Sequence, residues 1–254
     1  EEVMRKSSSI NNKQLRGGLW SDTECNVNPR EAIRKLPLYL QEKYDLILRF
    51  GQAVKDISYP LVYTHEEIWK VDKVIVCSGT DFETLYPTVF KENELTKCRL
   101  QMMKAMPLQP MVLGPSLCAG LTLRHYAAFS KCPSLQVLDQ RYDELDPRLK
   151  EHGIHVLLAQ HADGGLIIGD SHHYYGTVEP FDREDVNRLI LQYLSTFTSI
   201  KFEITERWHG VYPKLPGKLN FVIEPETGVT IVNALGGAGM TLSFGLAEEI
   251  INTL

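Results

Sequence analysis

The chain has 254 residues, 43% of them hydrophobic and 23% charged, enough apolar material for a substantial core in one large or two interleaved domains and too much for a disordered polymer. A formal charge of -5, with Lys and Arg scattered among Asp and Glu and no basic tract, excludes the usual signatures of partners such as nucleic acid or an anionic membrane. Five cysteines without CxxC spacing read as reduced thiols, and no secretory segment or run of about 18 apolar residues occurs, so a soluble cytoplasmic protein is expected.

In "VNPREAIRKLPLYLQEK", Asn28 stands as an N-cap, Pro29 at the first helical position and Glu31 at the third, where its carboxylate reaches back to the cap. Ile33, Leu36 and Leu40 form the expected buried stripe of that helix. Strand-like segments follow: "DLILRF" from Asp45, "LVYT" from Leu61 and "DKVIVCSG" from Asp72. The last is a continuous apolar strand that delivers Gly79 to its C-terminal edge. Between Lys97 and Gly169 the runs "CRLQMMKAM", "LCAGLTLRHYAAF", "IHVLLAQH" and "GGLIIGD" predict a second sheet. "FDREDVNRLILQYLSTF" predicts a helix capped by Asp182, with Asp185 at its third position and a stripe of Val186, Leu189, Ile190, Tyr193 and Phe197. Two strands come next, "KFEITERWHGVY" and "LNFVIEPETGVTIVN", joined through Pro213, Pro216 and Gly217.

The chain closes on "GVTIVNAL", a strand, "GGAG", a turn, and "MTLSFGLAEEIINTL", a helix whose Met240, Phe244, Ala247, Ile251 and Leu254 recur at helical spacing. Strand, glycine turn and helix start make a cradle for an anion or ligand, because N–H groups from Gly237 to Thr241 point outward at the positive end of the helix dipole. The same residues also suit a tight turn that needs φ > 0, with Gly245 serving close helix packing. His161, Asp170, His172 and His173 lie close in sequence, but adjacent histidines in an extended segment face opposite ways, so no metal site is expected from them. No cysteine has a local activating pattern and no nucleophile elbow occurs, so a covalent nucleophile is not indicated.

"VDKVIVCSGTDFETLYP", "GGLIIGDSHHYYG", "ERWHGVYPKLPGK" and "GVTIVNALGGAGMTLSFGLAEEI", in this order, resemble the C-terminal two-thirds of the FAD-dependent amino acid oxidase superfamily, of glycine oxidase and sarcosine oxidase type. "GGLWSDTECNVNPREAI", "LTKCRLQMM" and "GPSLCAGLTLRHYAAF" resemble more narrowly a bacterial subgroup linked to phosphonate metabolism, and the similarity runs from Leu15 onward. The resemblance implies an α/β, mixed-sheet FAD-dependent oxidoreductase fold with interleaved flavin-side and antiparallel substrate-side sheets. The first Rossmann βαβ unit, with its GxGxxG, is not among these residues, so an N-terminal FAD-binding segment or subunit is an expected partner. It further implies that residues 1–96 are the remainder of an FAD-binding domain, 97–207 a substrate domain including the 182–198 helix, and 208–254 a return to the FAD-binding domain.

By position, Cys77, Ser78 and Gly79 resemble residues that close around the flavin-side sheet, although Cys77 reads equally as a core thiol. Gly236, Gly237, Ala238, Gly239, Met240 and Thr241 resemble the loop beneath the ring edge where reduction builds negative charge, so preorganised N–H donors would stabilise it. Glycine oxidase-like relatives clamp the substrate carboxylate with an arginine two residues after a strand glycine. Here "RWHGVYP" puts Tyr212 in that place, and a phenol cannot make the bidentate pair. Positive or donor groups gather instead at Arg124, His125, His172, His173, His209 and Lys214, a set suited to a compact anion such as a phosphonate. Several have a plainer alternative: a surface charge at Arg124, satisfied structural imidazoles at His125 and His172, and exposure at Lys214, as do the aromatics Trp208 and Tyr212 in packing. The implied reaction is oxidation of a small anionic amine by FAD, with dioxygen or another electron acceptor as the second partner. The alternatives are a glycine- or sarcosine-like amino acid oxidase and a non-catalytic or partner-dependent interaction module.

Overall fold

In the computed structural model, which describes residues 1–13 and 15–253, the chain divides into two units that interleave in sequence. One comprises Glu1–Leu36, Arg99–His173 and Glu179–Gly210; the other comprises Pro37–Cys98, Tyr174–Val178 and Val211–Leu254.

The first unit is organised by the long strand Thr96–Pro107. It lies between Phe202–Lys214 and Leu166–Gly169, and the sheet continues through Leu157–Gln160 to Leu117–Cys118, with His173–Tyr175 also pairing the long strand. Leu166–Gly169 runs antiparallel to both neighbours, with Met102 opposite Gly169 on one side and Leu157 opposite Gly169 on the other. The two-residue period of a strand puts Arg99, Gln101, Met103 and Ala105 on one buried face. The helix Glu184–Phe197 buries Val186, Leu189, Ile190, Tyr193 and Leu194, and these cluster with Met103, Ala105, Leu158, Leu166 and Ile168. Phe197, expected in the stripe, is only half-buried, and Leu194 takes the inner position.

The start of this helix corrects the sequence reading. Arg183 occupies the cap position and no side chain caps it, while Asp182 is engaged by Arg99 and by His209, whose Nδ1 is 2.9 Å from Asp182 Oδ1. Arg99 is 1% exposed, and a buried guanidinium without a counter-charge is far more costly than an uncapped helix end. Asp182 therefore serves the ion pair.

In the second unit Asp56–Ser58, Leu61–Tyr63 and Ile68–Lys70 form an antiparallel meander. A second sheet has Val229–Asn233 at its centre, antiparallel to Phe221–Glu226 and parallel to Val74–Val76. "LNFVIEPETGVTIVN" is thus a hairpin. Gly228 has φ +82°, and a Cβ there would lie 2.4 Å from the Tyr59 ring, so glycine is required by both conformation and space. Ile57, Val76, Phe90, Phe221, Val229 and Ile231 supply the core of this unit.

Three apolar segments behave differently from their pattern. "DLILRF" forms no strand, and Leu46, Ile47 and Phe50 are exposed. The helix Pro29–Tyr44 keeps its cap, with Asn28 Oδ1 accepting from Arg30 N–H at 3.1 Å, but Glu31 meets the Asn28 side-chain amide at 3.2 Å rather than its backbone. That helix buries no residue, and Ile33 is exposed. The helix Gly239–Ile251 buries Leu246 and Ile250 while Met240, Phe244 and Ile251 face outward, and Leu254 lies outside the described residues. In the first helix the expected stripe is partly covered, with Leu36 and Leu40 half-buried, whereas in the second Met240, Phe244 and Ile251 are left exposed by the described residues. No helix among them is long and apolar enough to cross a membrane.

Removing the Asp182 carboxylate leaves Arg99 buried without its counter-charge. Asp182→Ala is expected to lower the unfolding free energy by about 3 kcal/mol, the low end for breaking a buried pair because the Asp182 side chain is 24% exposed. Asp185→Ala, which breaks only the surface pair with Arg183, should leave stability nearly unchanged. Parallel urea denaturation of the two variants makes the comparison; equal losses would contradict the assignment.

Candidate functional site

In the second unit the strand Val229–Asn233 runs directly into the glycine turn. Asn233 is 5% exposed; its Oδ1 accepts from Ala234 N–H at 2.6 Å and its Nδ2 donates to the Gly79 carbonyl at 3.0 Å. One carboxamide thereby joins the turn to the segment that leaves Val74–Val76. Ala234 has φ +58° and Gly236 φ +60°, and a short 3-10 turn, Gly236–Ala238, leads into the helix Gly239–Ile251. Within that turn the Ala238 N–H bonds to the Leu235 carbonyl at 3.3 Å, which removes it from the donor set expected of the cradle.

A backbone bridge between Lys214 and Leu235 brings the end of Phe202–Lys214 against the turn. Tyr212 and Lys214, two residues apart, share a strand face. A Cβ on Gly236 would meet Lys214 Cδ at 3.4 Å, its Nζ at 3.6 Å and Tyr212 Cε2 at 3.7 Å, and one on Gly237 would meet the Tyr212 hydroxyl at 3.8 Å. Phenol and ammonium thus lie over the first two glycines. Across the Asn233 link, Gly79 has φ +59° with open space on its Cβ side, and Ser78 Oγ is buried without a hydrogen-bond partner among the described residues. Cys77 is exposed, and desolvation pushes its thiol pKa up, away from thiolate chemistry.

The remaining candidates lie in the first unit. Arg124 Nη1 is 3.2 Å from Asp139 Oδ1 and 3.5 Å from Asp143 Oδ1, so two carboxylates already meet its charge. His209 faces Asp182, as described above. His125 and His172 join His155, which the sequence reading did not single out: the His125 and His155 rings stack with centroids 4.3 Å apart, and His172 lies 4.4 Å from His125. His173 turns away to His152, with 3.1 Å between His152 Nδ1 and His173 Nε2, as adjacent residues of an extended segment should.

Burial dominates the electrostatics of this cluster. It pushes the His155 pKa down to about 4 and lowers that of His172, where Asp170 opposes the shift, so both imidazoles are neutral at pH 7. The Asp170 carboxyl is pushed up to about 7 by burial, with His172 acting against it. His155, Asn233 and Arg99 carry much of the polar geometry, and their only sequence signal is a polar side chain inside an otherwise apolar run, whereas Asp170 stood out beside His172 and His173.

A strand that runs into a glycine turn beneath a cationic side chain, tied by Asn233 to the segment after the neighbouring strand Val74–Val76, is an arrangement that can cradle a ligand. The chain belongs to the FAD dependent oxidoreductase (DAO) family, whose pattern matches residues 1–253. No curated sequence matches it. Among solved structures it is similar to L-proline dehydrogenase from P. horikoshii, with a TM-score of 0.72 and 17% identity over 96% of this chain and 60% of that one. It is also similar to glycine oxidase from Geobacillus kaustophilus, with a TM-score of 0.53 and 15% identity over 78% of this chain and 46% of that one. The chain thus spans about half to three-fifths of these proteins, and at such identities the likeness is one of fold.

The family is FAD dependent, and the second unit fits that cofactor. Ser78 Oγ offers a buried hydroxyl without a partner, Gly79 opens onto clear space, and the Gly236–Gly237 turn approaches a cationic side chain. Asn233→Asp keeps the acceptor for Ala234 N–H and replaces the donor to the Gly79 carbonyl with a second oxygen. The expected cost is about 1–3 kcal/mol, that of an unsatisfied buried group, with faster proteolysis around Gly79. Denaturant unfolding with limited proteolysis checks this, and unchanged stability would remove Asn233 from its linking role.

Proposed function

We propose that this chain is part of an FAD-dependent oxidoreductase that oxidises a small anionic primary or secondary amine, an aminoalkylphosphonate ahead of glycine or sarcosine. The observation that carries the reading is Lys214 with Tyr212 over the Gly236–Gly237 turn. A guanidinium forks a carboxylate, whereas an ammonium and a phenol act as separate donors, which suits an acid with three oxygens. The solved structures of similar fold are named for enzymes acting on proline and glycine, which supports an amino compound as the substrate class.

In this reading Cys77, Ser78 and Gly79, together with Gly236, Gly237, Ala238, Gly239, Met240 and Thr241, hold the cofactor, and Tyr212 and Lys214 bind the substrate's acid group. Arg124, His125, His172 and His209 are left out of the anion site. Arg124 and His209 already face carboxylates, and burial keeps His172 and its neighbour His155 neutral. When bound, FAD supplies the two-electron acceptance that turns the amine into an imine, which water hydrolyses, with dioxygen or another acceptor taking the electrons onward. Lys214 positions the acid group and, by its charge and the exclusion of water, favours the unprotonated amine.

We also infer dependence on a nucleotide-binding βαβ segment or subunit. The helix that begins at the glycine turn exposes Met240, Phe244 and Ile251, and a contiguous exposed apolar face marks an interaction site.

The test uses the chain co-expressed with a βαβ segment of the family and scored for flavin released on denaturation. In the flavin-loaded protein, kcat/KM is compared for matched aminoalkyl phosphonates and carboxylates. The phosphonate should be preferred, and Lys214→Ala should reduce that preference about tenfold or more, the worth of one charge-assisted hydrogen bond. Equal rates for the two anions, or a preference unchanged in Lys214→Ala, would overturn the substrate assignment; absence of flavin would overturn the dependence on FAD.

A further inference from the structure

In the first unit three imidazoles converge from three separate segments. His125 ends the helix Leu121–His125, His155 lies just before the strand Leu157–Gln160, and His172 follows Leu166–Gly169. One nitrogen of each lies within 4.8 Å of those of the other two. His155 and His172 are buried, whereas His125 is exposed.

The surrounding polar atoms indicate which nitrogens are available. A carbonyl only accepts, so His172 Nδ1, 3.0 Å from the Gly153 oxygen, carries the proton and its lone pair is on Nε2. His155 Nε2 is buried and has no hydrogen-bond partner among the described residues, while its Nδ1 lies 3.6 Å from Asp170 Oδ1. That same oxygen is 3.4 Å from His172 Nδ1 and, although buried, accepts no hydrogen bond. The Gly153 carbonyl bonded on the Nδ1 side of His172 and the Asp170 carboxyl beside both Nδ1 atoms, with Nε2 left over, place outer groups where they orient metal-ligating histidines once the rings draw in.

We propose that His125, His155 and His172 bind one divalent transition-metal ion of the zinc class, with Asp170 and the Gly153 carbonyl as the layer that orients them. Three imidazole nitrogens without a thiolate favour zinc, cobalt, nickel or copper over magnesium or calcium, and leave a fourth position for water. Bonds of about 2.0–2.1 Å require the nitrogens to draw together. His125 supplies that movement. Ring lone pairs lie in the ring plane, so it must leave its parallel stack on His155, and its exposed place at a helix end allows the swing. Gly153 is part of the same construction, since a Cβ there would come within 2.8 Å of His172 Cβ.

The test uses tag-free full chain, stripped with a chelator and titrated with Co²⁺ alone, then with Zn²⁺ as competitor. It needs no flavin, so its outcome is independent of the proposed oxidation. The expected result is a visible Co²⁺ band of four-coordinate intensity that saturates at one equivalent and is displaced by Zn²⁺. His125→Ala should abolish the band and His125→Cys should retain one. Asp170→Asn should weaken affinity about 10–100-fold, while His173→Ala, outside the cluster, should leave it unchanged. Circular dichroism confirms that each variant is folded. Should His155→Ala or His172→Ala fail to fold, the exposed His125 pair decides the matter. No band in folded wild-type chain, or one that survives His125→Ala, would overturn the proposal.

Discussion

A buried carboxamide must find hydrogen-bond partners for its oxygen and its amide, and Asn233 finds one for each in the backbone. Its oxygen takes the Ala234 N–H and its nitrogen gives to the Gly79 carbonyl, so two strand ends that share no ladder at that level are held by one side chain. The first bond stands at a residue with φ +58°, a conformation that a non-glycine residue adopts only at a cost of order 1–3 kcal/mol. The short bond offsets part of that cost. Once Ala234 is fixed, Leu235 falls opposite Lys214, and the glycines that follow come to lie beneath Tyr212 and Lys214.

The first unit solves a different problem with one strand face. Along Thr96–Pro107 the buried positions change from Arg99 and Gln101 to Met103 and Ala105. The apolar half packs in the cluster that includes the helix Glu184–Phe197. The polar half anchors the start of that helix: Gln101 donates to the Arg183 carbonyl and to Asn187 Oδ1, and accepts from Arg183 N–H, while Arg99 bonds to the Phe181 carbonyl and to Asp182. Apolar packing tolerates sliding, whereas a bidentate amide does not, so the polar pair fixes the register of the helix on the sheet.

These arrangements explain what could be read from the residues and what could not. Helical periodicity found Glu184–Phe197 and its inner face, because that face packs within the unit itself. It failed on Gly239–Ile251, where Met240 and Phe244 repeat correctly but Leu246 and Ile250 are the buried residues. A stripe reports that a surface is apolar, not which neighbour covers it. Asp182 looked like a cap because caps and buried counter-ions use the same carboxylate; only the fold brings Arg99 from far along the chain. The glycine turn was legible from local sequence, but the place of Tyr212 and Lys214 beside it was not, since the strand runs on through Pro213 to Lys214 and pairs with Leu235 across the fold. His155 and Asn233 gave no such signal, being single polar residues in apolar runs whose partners are distant in sequence.

Not every basic side chain brings a positive charge to a site. Lysine and arginine keep their charge in most settings, but an imidazole titrates close enough to neutrality that burial alone decides it. With His155 pushed down to about 4 and His172 lowered, these side chains bring no positive charge to an anion, and Arg124 has already been neutralised by Asp139 and Asp143. Lys214 differs from them in its place, with its ammonium beside the Gly236–Gly237 turn. Where burial strips the proton from an imidazole, what is left is a neutral nitrogen lone pair, whose natural partner is a cation.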